Sequence, residues 1–211
     1  CLQCECLECV KACEYLAHFK GYPRKYLRDI NHNLKMVMGA HTANKMINSC
    51  SLCGLCEEIC PNNLNMGEVC KNSREIMVKK GKIPPSPHDF PLRDMQFSNG
   101  EMFALARPEP GQESSKHLFF PGCQLSASSP EYIVKTYSDL RKKLTGGVGL
   151  MLRCCGAPAD WAGRKEHFLE ARQEIVRLWN EMGKPCFTLA CSSCYQVFQN
   201  HLPEIEIVSL W

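Results

Sequence analysis

The chain has 211 residues, 45% hydrophobic and 22% charged, with a formal net charge of +3. That balance is ordinary for a globular protein and too even to argue for a nucleic-acid partner. The basic groups of "RKYLRD" and "RKKL" read as solvated faces. No run approaches the ~18 uninterrupted apolar residues of a membrane span, and no signal peptide is visible. The sequence opens at Cys1 and stops at Trp211 inside an apolar run, so it reads as a piece of a longer protein.

Sixteen cysteines are the dominant feature. Secreted disulfide frameworks belong mainly to small domains without a core. Here there is apolar sequence enough for a core, and the cysteines fall in CxxC clusters. The expected use is metal ligation in a reducing cytoplasm, or at the inner face of the cytoplasmic membrane.

Taken in chain order, residues 1–80 hold ten cysteines, nine of them in two clusters and Cys70 apart. Between the clusters, in "RKYLRDINHNLKMVMG", Leu27, Ile30, Leu34 and Val37 recur at steps of three and four, one face of a helix. After Pro61, "MGEVCKNSREIMVKKG" reads as another helix, ended by Gly81. Nothing in this region alternates as a strand does, so an α-helical domain is expected. Residues 81–116 differ: four prolines fall within eight residues of "GKIPPSPHDFPLRD", and "ARPEPGQESSK" adds more breakers. This predicts a Pro-rich linker or surface lid, docked by the apolar patch "EMFALA".

Residues 117–211 alternate in type. The runs "HLFF", "VGLMLR", "CFTLA" and "IEIVSLW" read as strands. "PEYIVKTYSDLRKKL", "RKEHFLEARQEIVRLWNEM" and a segment from about Ser192 read as helices, the second with Phe168, Ala171, Ile175, Leu178 and Met182 on one face. Strand and helix in turn predict a Rossmann-like, three-layer α/β domain with a parallel four-stranded sheet and right-handed crossovers.

The stretch "CSLCGLCEEICP", residues 50–61, is C-x2-C-x2-C-x3-C-P. Cysteines three apart on a tight loop aim three sulfurs at three corners of a cuboidal cluster, and in two-cluster proteins the fourth ligates the other cluster. Cys50, Cys53 and Cys56 are therefore expected on one centre and Cys60 on its partner. In "CLQCECLECVKAC", residues 1–13, Cys6, Cys9 and Cys13 copy that spacing, but Gln3 stands where a first cysteine belongs. By symmetry Cys13 completes the Cys50 centre. Cys9 and Cys60 then need two of Cys1, Cys4 and Cys6, and in one arrangement Cys1, Cys4 and Cys9 ligate while Cys6 stands aside. Zinc also binds CxxC pairs, though it has no need of two such runs. Cys70, alone on a helix, reads as a buried small apolar residue.

The remaining cysteines follow predicted strands: Cys123 after "HLFF", Cys154 and Cys155 after "VGLMLR", Cys191 and Cys194 after "CFTLA". Adjacent cysteines rarely pair with each other, because the small ring misses disulfide geometry. The carboxyl edge of a parallel sheet is where ligands bind, and five thiols there predict a metal–sulfur centre. Gly156 is expected to keep a Cβ out of the Cys154–Cys155 corner. Helices starting near Ser192 and after Ala162 should aim N–H groups at an anionic cluster. Five buried free thiols are the plainer alternative, but that does not explain why all five fall at strand ends. Cys186 begins a strand at the opposite edge and reads as packing.

The pattern Cys123, Cys154-Cys155-Gly156, Cys191-x2-Cys194 resembles the CCG cysteine-rich domain. That domain occurs in the B-type and D-type polypeptides of heterodisulfide reductases and in the iron–sulfur subunits of anaerobic glycerol-3-phosphate, glycolate and lactate dehydrogenases. The first region resembles the α-helical ferredoxin domain that precedes CCG domains in the D-type polypeptide. The resemblance implies two 4Fe–4S clusters in residues 1–80. It implies a third centre, a non-cubane 4Fe–4S cluster, at Cys123, Cys154, Cys155, Cys191 and Cys194. CCG domains usually come in tandem, so residues 117–211 would be the first of a truncated pair. The implied function is an oxidoreductase subunit passing electrons through two clusters to the CCG centre for disulfide reduction. Its implied partners are other redox subunits, a flavoprotein or a quinone-linked membrane cytochrome subunit, and a small disulfide or thiol. The competing readings are an electron-transfer subunit of a hydroxyacid or glycerol-3-phosphate dehydrogenase, and a zinc-stabilised interaction scaffold.

Overall fold

The computed structural model describes residues 4–36, 41–82 and 87–211. The chain divides into two compact units, Cys1–Phe90 with Trp161–Lys165, and Pro91–Asp160 with Glu166–Trp211.

Among its described residues the first unit's regular elements are all helices, α1 (Glu8–Ala12), α2 (Glu14–His18), α3 (Pro23–Lys35), α4 (His41–Ser49), α5 (Leu55–Glu58) and α6 (Met66–Lys79). Pro23 opens α3, where its missing N–H costs nothing. The face α3 buries is Pro23, Tyr26, Ile30 and Asn33, with Leu27 and Leu34 packed at its border. The apolar stripe expected from Leu27, Ile30 and Leu34 is thus rotated toward Tyr26, whose hydroxyl donates to the Leu16 carbonyl and accepts from the Gly21 N–H. Val37 lies outside the described residues. The Asn65 side chain caps α6 by accepting from the Glu68 N–H at 3.0 Å. At the other end Gly81 is left-handed (φ 62°). There the N–H of Lys82 bonds Met77 and that of Gly81 bonds Val78, a Schellman ending. The largely polar α4, unforeseen from periodicity, buries Ala43, Met46 and Ile47.

The later elements are α7 (Asp89–Ser98), β1 (Leu105–Arg107), β2 (His117–Phe120), α8 (Cys123–Ser128), α9 (Pro130–Lys143), β3 (Val148–Leu152), α10 (Ala157–Trp161), α11 (Lys165–Glu181), β4 (Cys186–Leu189), α12 (Ser192–His201) and β5 (Ile207–Ser209). The sheet order is β1-β3-β2-β4-β5. The four expected strands are parallel neighbours, but β1 adds antiparallel to β3, Leu105 facing Leu152. The sheet is therefore mixed and five-stranded, not the four-stranded parallel sheet expected. The stretch 81–116 likewise holds a ten-residue helix and a strand. Pro91 falls within the first turn of α7, where its missing N–H is tolerated, and β1 is too short to show alternation.

Strand β2 lies at the centre, buried on both faces. Leu118 and Phe120 belong to one core with Phe187 and Phe198, and Phe119 to the other with Val148 and Ile133. This is why it reads as one unbroken apolar run. The rings of Phe120, Phe187 and Phe198 stand 5.1–6.0 Å apart. Against them α11 buries Phe168, Ala171, Ile175 and Trp179. Among the described residues no helix is long and apolar enough to cross a membrane.

Candidate metal centres

In the second unit the chain leaves β2 through Pro121-Gly122 and enters α8 at Cys123. It leaves β3 into Cys154 and Cys155, and leaves β4 into Cys191, which caps α12, with Cys194 in that helix's first turn. The three strands are parallel, so the five thiols meet at one carboxyl edge. Cys154, Cys155 and Cys194 are buried; Cys123 and Cys191 are half-buried. Their sulfurs form a continuous hydrogen-bonded run: Cys123 to Cys154, Cys154 to Cys155, Cys155 to Cys194, Cys194 to Cys191.

Backbone N–H groups at helix starts also point at these sulfurs. Gln124 donates to Cys123, Gly156 to Cys154, Ala157 to Cys155, and Ser193 and Cys194 to Cys191. Expectation placed one such donor in a helix after Ala162; the short α10 intervenes and supplies it from Ala157 instead. The run separates the thiols by role. Cys155, accepting from Cys154 and Cys194, is held well below the ordinary thiol value. Cys191 is lowered to about 6, first by the Cys194 hydrogen bond. Donation to Cys155 and then to Cys191, with burial, raises Cys194 well above that value. Donation to Cys154, with burial, raises Cys123. Cys154 reaches about 12, because relief from Cys123 is outweighed by donation to Cys155 and by burial.

Gly122 is the glycine that lets backbone close on the sulfurs. It is left-handed (φ 86°), and a Cβ there would stand 3.0 Å from Cys191 Cβ and 3.3 Å from Cys194 Sγ. Gly156 does not fill the role expected of it. Its φ is 92°, and a Cβ there would meet Phe168 and Ala171 at 3.0 and 3.1 Å, so it serves packing on α11. Two residues that sequence reasoning missed come from the supposed linker. Asn99 Oδ1 accepts from the Cys154 N–H at 3.1 Å. Asp94 holds the Gln124 amide at 2.5 Å, and its charge bears on Cys123. No motif marks them; packing of Leu92 and Met95 of α7 on the core and pairing of β1 with β3 bring their segment near.

In the first unit Cys4, Cys6, Cys9 and Cys60 line one cleft of ≈ 310 Å³ with Pro23, Asn62 and Leu64. The sulfurs of Cys4 and Cys6 lie 3.8 Å apart. Cys9 is pushed up to about 11 by burial and then by the charges of Cys4, Cys60, Cys56 and Cys6. Cys6 thus shares the cleft with Cys4, Cys9 and Cys60, and Cys1 lies outside the described residues. The two cysteine runs share their turn: Leu7 (φ 58°) before α1 and Gly54 (φ 79°) before α5 are both left-handed. Each follows one cysteine, Cys6 or Cys53, and precedes the next, Cys9 or Cys56, and α1 packs on α5. Cys56 is buried, and its sulfur accepts from the Met66 N–H at 3.2 Å. Cys13, half-buried between α1 and α2, packs on the core that holds Cys9 and Cys56. Cys53 is exposed.

Cys50 is lowered to about 6, first by a hydrogen bond from Cys70. Cys70 is fully buried, but it is no plain apolar filler: it donates to Cys50 and lies 3.6 Å from the Tyr15 hydroxyl.

Among the described residues no group of His, Cys, Asp and Glu is disposed to hold a single metal ion; the five CCG thiols lie in a row. As a donor set they fit a polynuclear iron–sulfur centre. The donors are soft thiols, partly preset as thiolates, with N–H groups aimed at sulfur, the interactions that tune such centres.

Residues 1–65 match the 4Fe-4S dicluster domain and residues 117–199 the cysteine-rich domain, CCG. One polypeptide of the fumarate reductase (CoM/CoB) of Methanothermobacter marburgensis is 21% identical over 220 aligned positions, covering 96% of this chain and 44% of the relative. The chain thus spans less than half of that protein's length. No solved structure matches it. The dicluster domain implies two 4Fe–4S clusters, and the CCG domain an additional iron–sulfur centre. This chain therefore joins a 4Fe-4S dicluster domain to a CCG cysteine-rich domain on one polypeptide.

Proposed function

We propose that the chain is the electron-transferring iron–sulfur subunit of an oxidoreductase complex that reduces a small disulfide. Cys4, Cys6, Cys9 and Cys60 hold one 4Fe–4S cluster, and Cys13, Cys50, Cys53 and Cys56 the other. Cys123, Cys154, Cys155, Cys191 and Cys194 hold a non-cubane 4Fe–4S centre. The dicluster domain spans residues 1–80, and 117–211 is the first of two CCG domains.

The observation that carries this reading is the run of five contacting thiols, drawn from three loops to one sheet edge. When bound, the iron–sulfur groups supply one-electron chemistry that ordinary side chains lack. The chain's own residues hold and tune the donors. Gly122 lets the backbone approach, the N–H groups of Gln124, Gly156, Ala157 and Ser193 offset thiolate charge, and burial of Cys154, Cys155 and Cys194 keeps water away. Reducing a disulfide breaks one S–S bond, consumes two electrons and two protons, and releases two thiols. A partner flavoprotein or quinone-linked subunit in a reducing cytoplasm supplies the electrons.

The name of the methanogen relative carries CoM and CoB, which favours thiol–disulfide chemistry over the hydroxyacid or glycerol-3-phosphate dehydrogenase reading. Structural zinc takes four donors at a site, fewer than the five thiols on this edge. Anaerobic purification with iron, sulfide and zinc analysis, followed by electron paramagnetic resonance, tests the proposal. The expected result is iron and sulfide for three centres, with one reduced signal unlike the other two. A colourless protein with stoichiometric zinc overturns it. Oxidation of a hydroxyacid by the assembled complex, without disulfide reduction, moves the chain to the dehydrogenase class.

A further inference from the structure

Arg74, on α6, is the largest fully buried side chain among the described residues, 1% exposed. Its Nε donates to the Ile47 carbonyl at 2.9 Å and one Nη to the Cys50 carbonyl at 2.6 Å. The other Nη donates at 2.7 Å to Trp161, in the 161–165 segment that packs with the first unit. Carbonyls accept from each of its three nitrogens but leave a whole positive charge buried, which persists only where negative charge answers it. Among the described ion pairs no carboxylate does so. The acidic groups within its electrostatic reach are the thiols of Cys70 and Cys50 and the phenol of Tyr15. Cys70 donates to the Cys50 sulfur, and the Tyr15 hydroxyl touches Cys70 while donating to the Met46 carbonyl.

Among the described residues the other cysteine set shows no such niche. The charged neighbours of Cys9 are Cys4, Cys60, Cys56 and Cys6, all of one sign as thiolates. Lys11 feels Cys6, but it is exposed and paired with Glu8 at 2.8 Å. Iron–sulfur potentials follow local charge and hydrogen bonds to the sulfurs, because the added electron is stabilised by a nearby cation or donor.

We infer that Arg74 and Cys70 act as positioning residues that make the cluster joined by Cys50 the higher-potential one of the two in the first unit, so that it collects the electron from the cluster at Cys4, Cys6, Cys9 and Cys60. The inference rests on the ligand sets of the proposed function.

The test is a redox titration of the iron-replete holoprotein, followed by electron paramagnetic resonance, for Arg74→Gln, Arg74→Lys and Cys70→Ala. Cys53→Ala identifies which signal belongs to the Cys50 run. In Arg74→Gln that signal's midpoint should fall by about 59 mV or more, a tenfold change in a one-electron equilibrium, while the other stays in place. Arg74→Lys should restore most of the shift, and Cys70→Ala should move the same signal downward by less. Should Arg74→Gln lose iron, Arg74→Lys and Cys70→Ala still decide, and unmoved midpoints in both overturn the inference. Unmoved midpoints in iron-replete Arg74→Gln, or a shift confined to the signal that survives Cys53→Ala, overturn it as well. A wild-type protein without iron defeats the proposed function too, whereas shifted midpoints without disulfide reduction defeat the proposed function alone.

Discussion

The two units bring thiols together by different physical means. In the first, the donors lie on two short runs, residues 1–13 and 50–60, whose turns are set locally by left-handed Leu7 and Gly54. In the second, five donors stand on loops some thirty residues apart in the chain, and parallel pairing of β2 with β3 and β4 delivers them to one edge. A local site depends on loop geometry and spacing, whereas a topological site depends on the whole core beneath it. Damage to the Phe120–Phe187–Phe198 packing should therefore reach the CCG donors without touching a cysteine, and the first unit has no equivalent dependence on a sheet.

The largest expected effect breaks the comparison most directly. Cys155→Ser removes the thiol that accepts from both Cys154 and Cys194. It should abolish the unusual iron–sulfur signal while both ferredoxin-type signals persist; loss of all three together would show that the units do not hold their centres independently. Next comes Phe198→Ala. Phe198 is fully buried, and its truncation should cost about 3–5 kcal/mol, read as a lower thermal midpoint. Because α12 carries Cys194, iron at the CCG site should fall while the first unit's signals are kept. Gly122→Ala is smaller. A Cβ at φ 86° and 3.0 Å from Cys191 should destabilise by about 1 kcal/mol or more, and iron analysis should show weakened loading of the CCG site alone. Smallest is Asn65→Ala, which removes the cap of α6 and should cost about 1 kcal/mol. Chemical denaturation should register that loss with all three signals intact, and a missing ferredoxin-type signal would show that the local site leans on its scaffold more than its turns suggest.

What could be read in advance follows the same division. The C-x2-C-x2-C-x3-C-P run was legible because its chemistry and geometry sit within a dozen residues. Strands β2, β3 and β4 were legible because burial leaves largely apolar runs, and the mostly exposed β5 because isoleucine and valine recur in "IEIVSLW". The edge strand β1 escaped notice: three residues carry no period, and proline-rich flanks read as linker. Asn99 and Asp94 escaped with it, since an asparagine or aspartate acquires a role at a thiol only through the segment's docking. Cys70 looked like a small apolar residue because sequence gives a lone cysteine no direction. Its contacts with Cys50 and Tyr15 come from packing of α6 in the first unit.

Composition and spacing alone settle that thiols are this protein's chemistry, that they come in a dicluster pattern and a CCG pattern, and that helices precede an α/β sheet. These are short-range properties, written in periods of two to four residues. Tertiary structure alone decides that Gly122 rather than Gly156 makes room for the sulfurs, that Cys6 shares a cleft with Cys60, and that Arg74 buries its charge beside Cys50. Each depends on which atoms meet across tens of residues, and that is set by how the cores close and by nothing local to the residues involved.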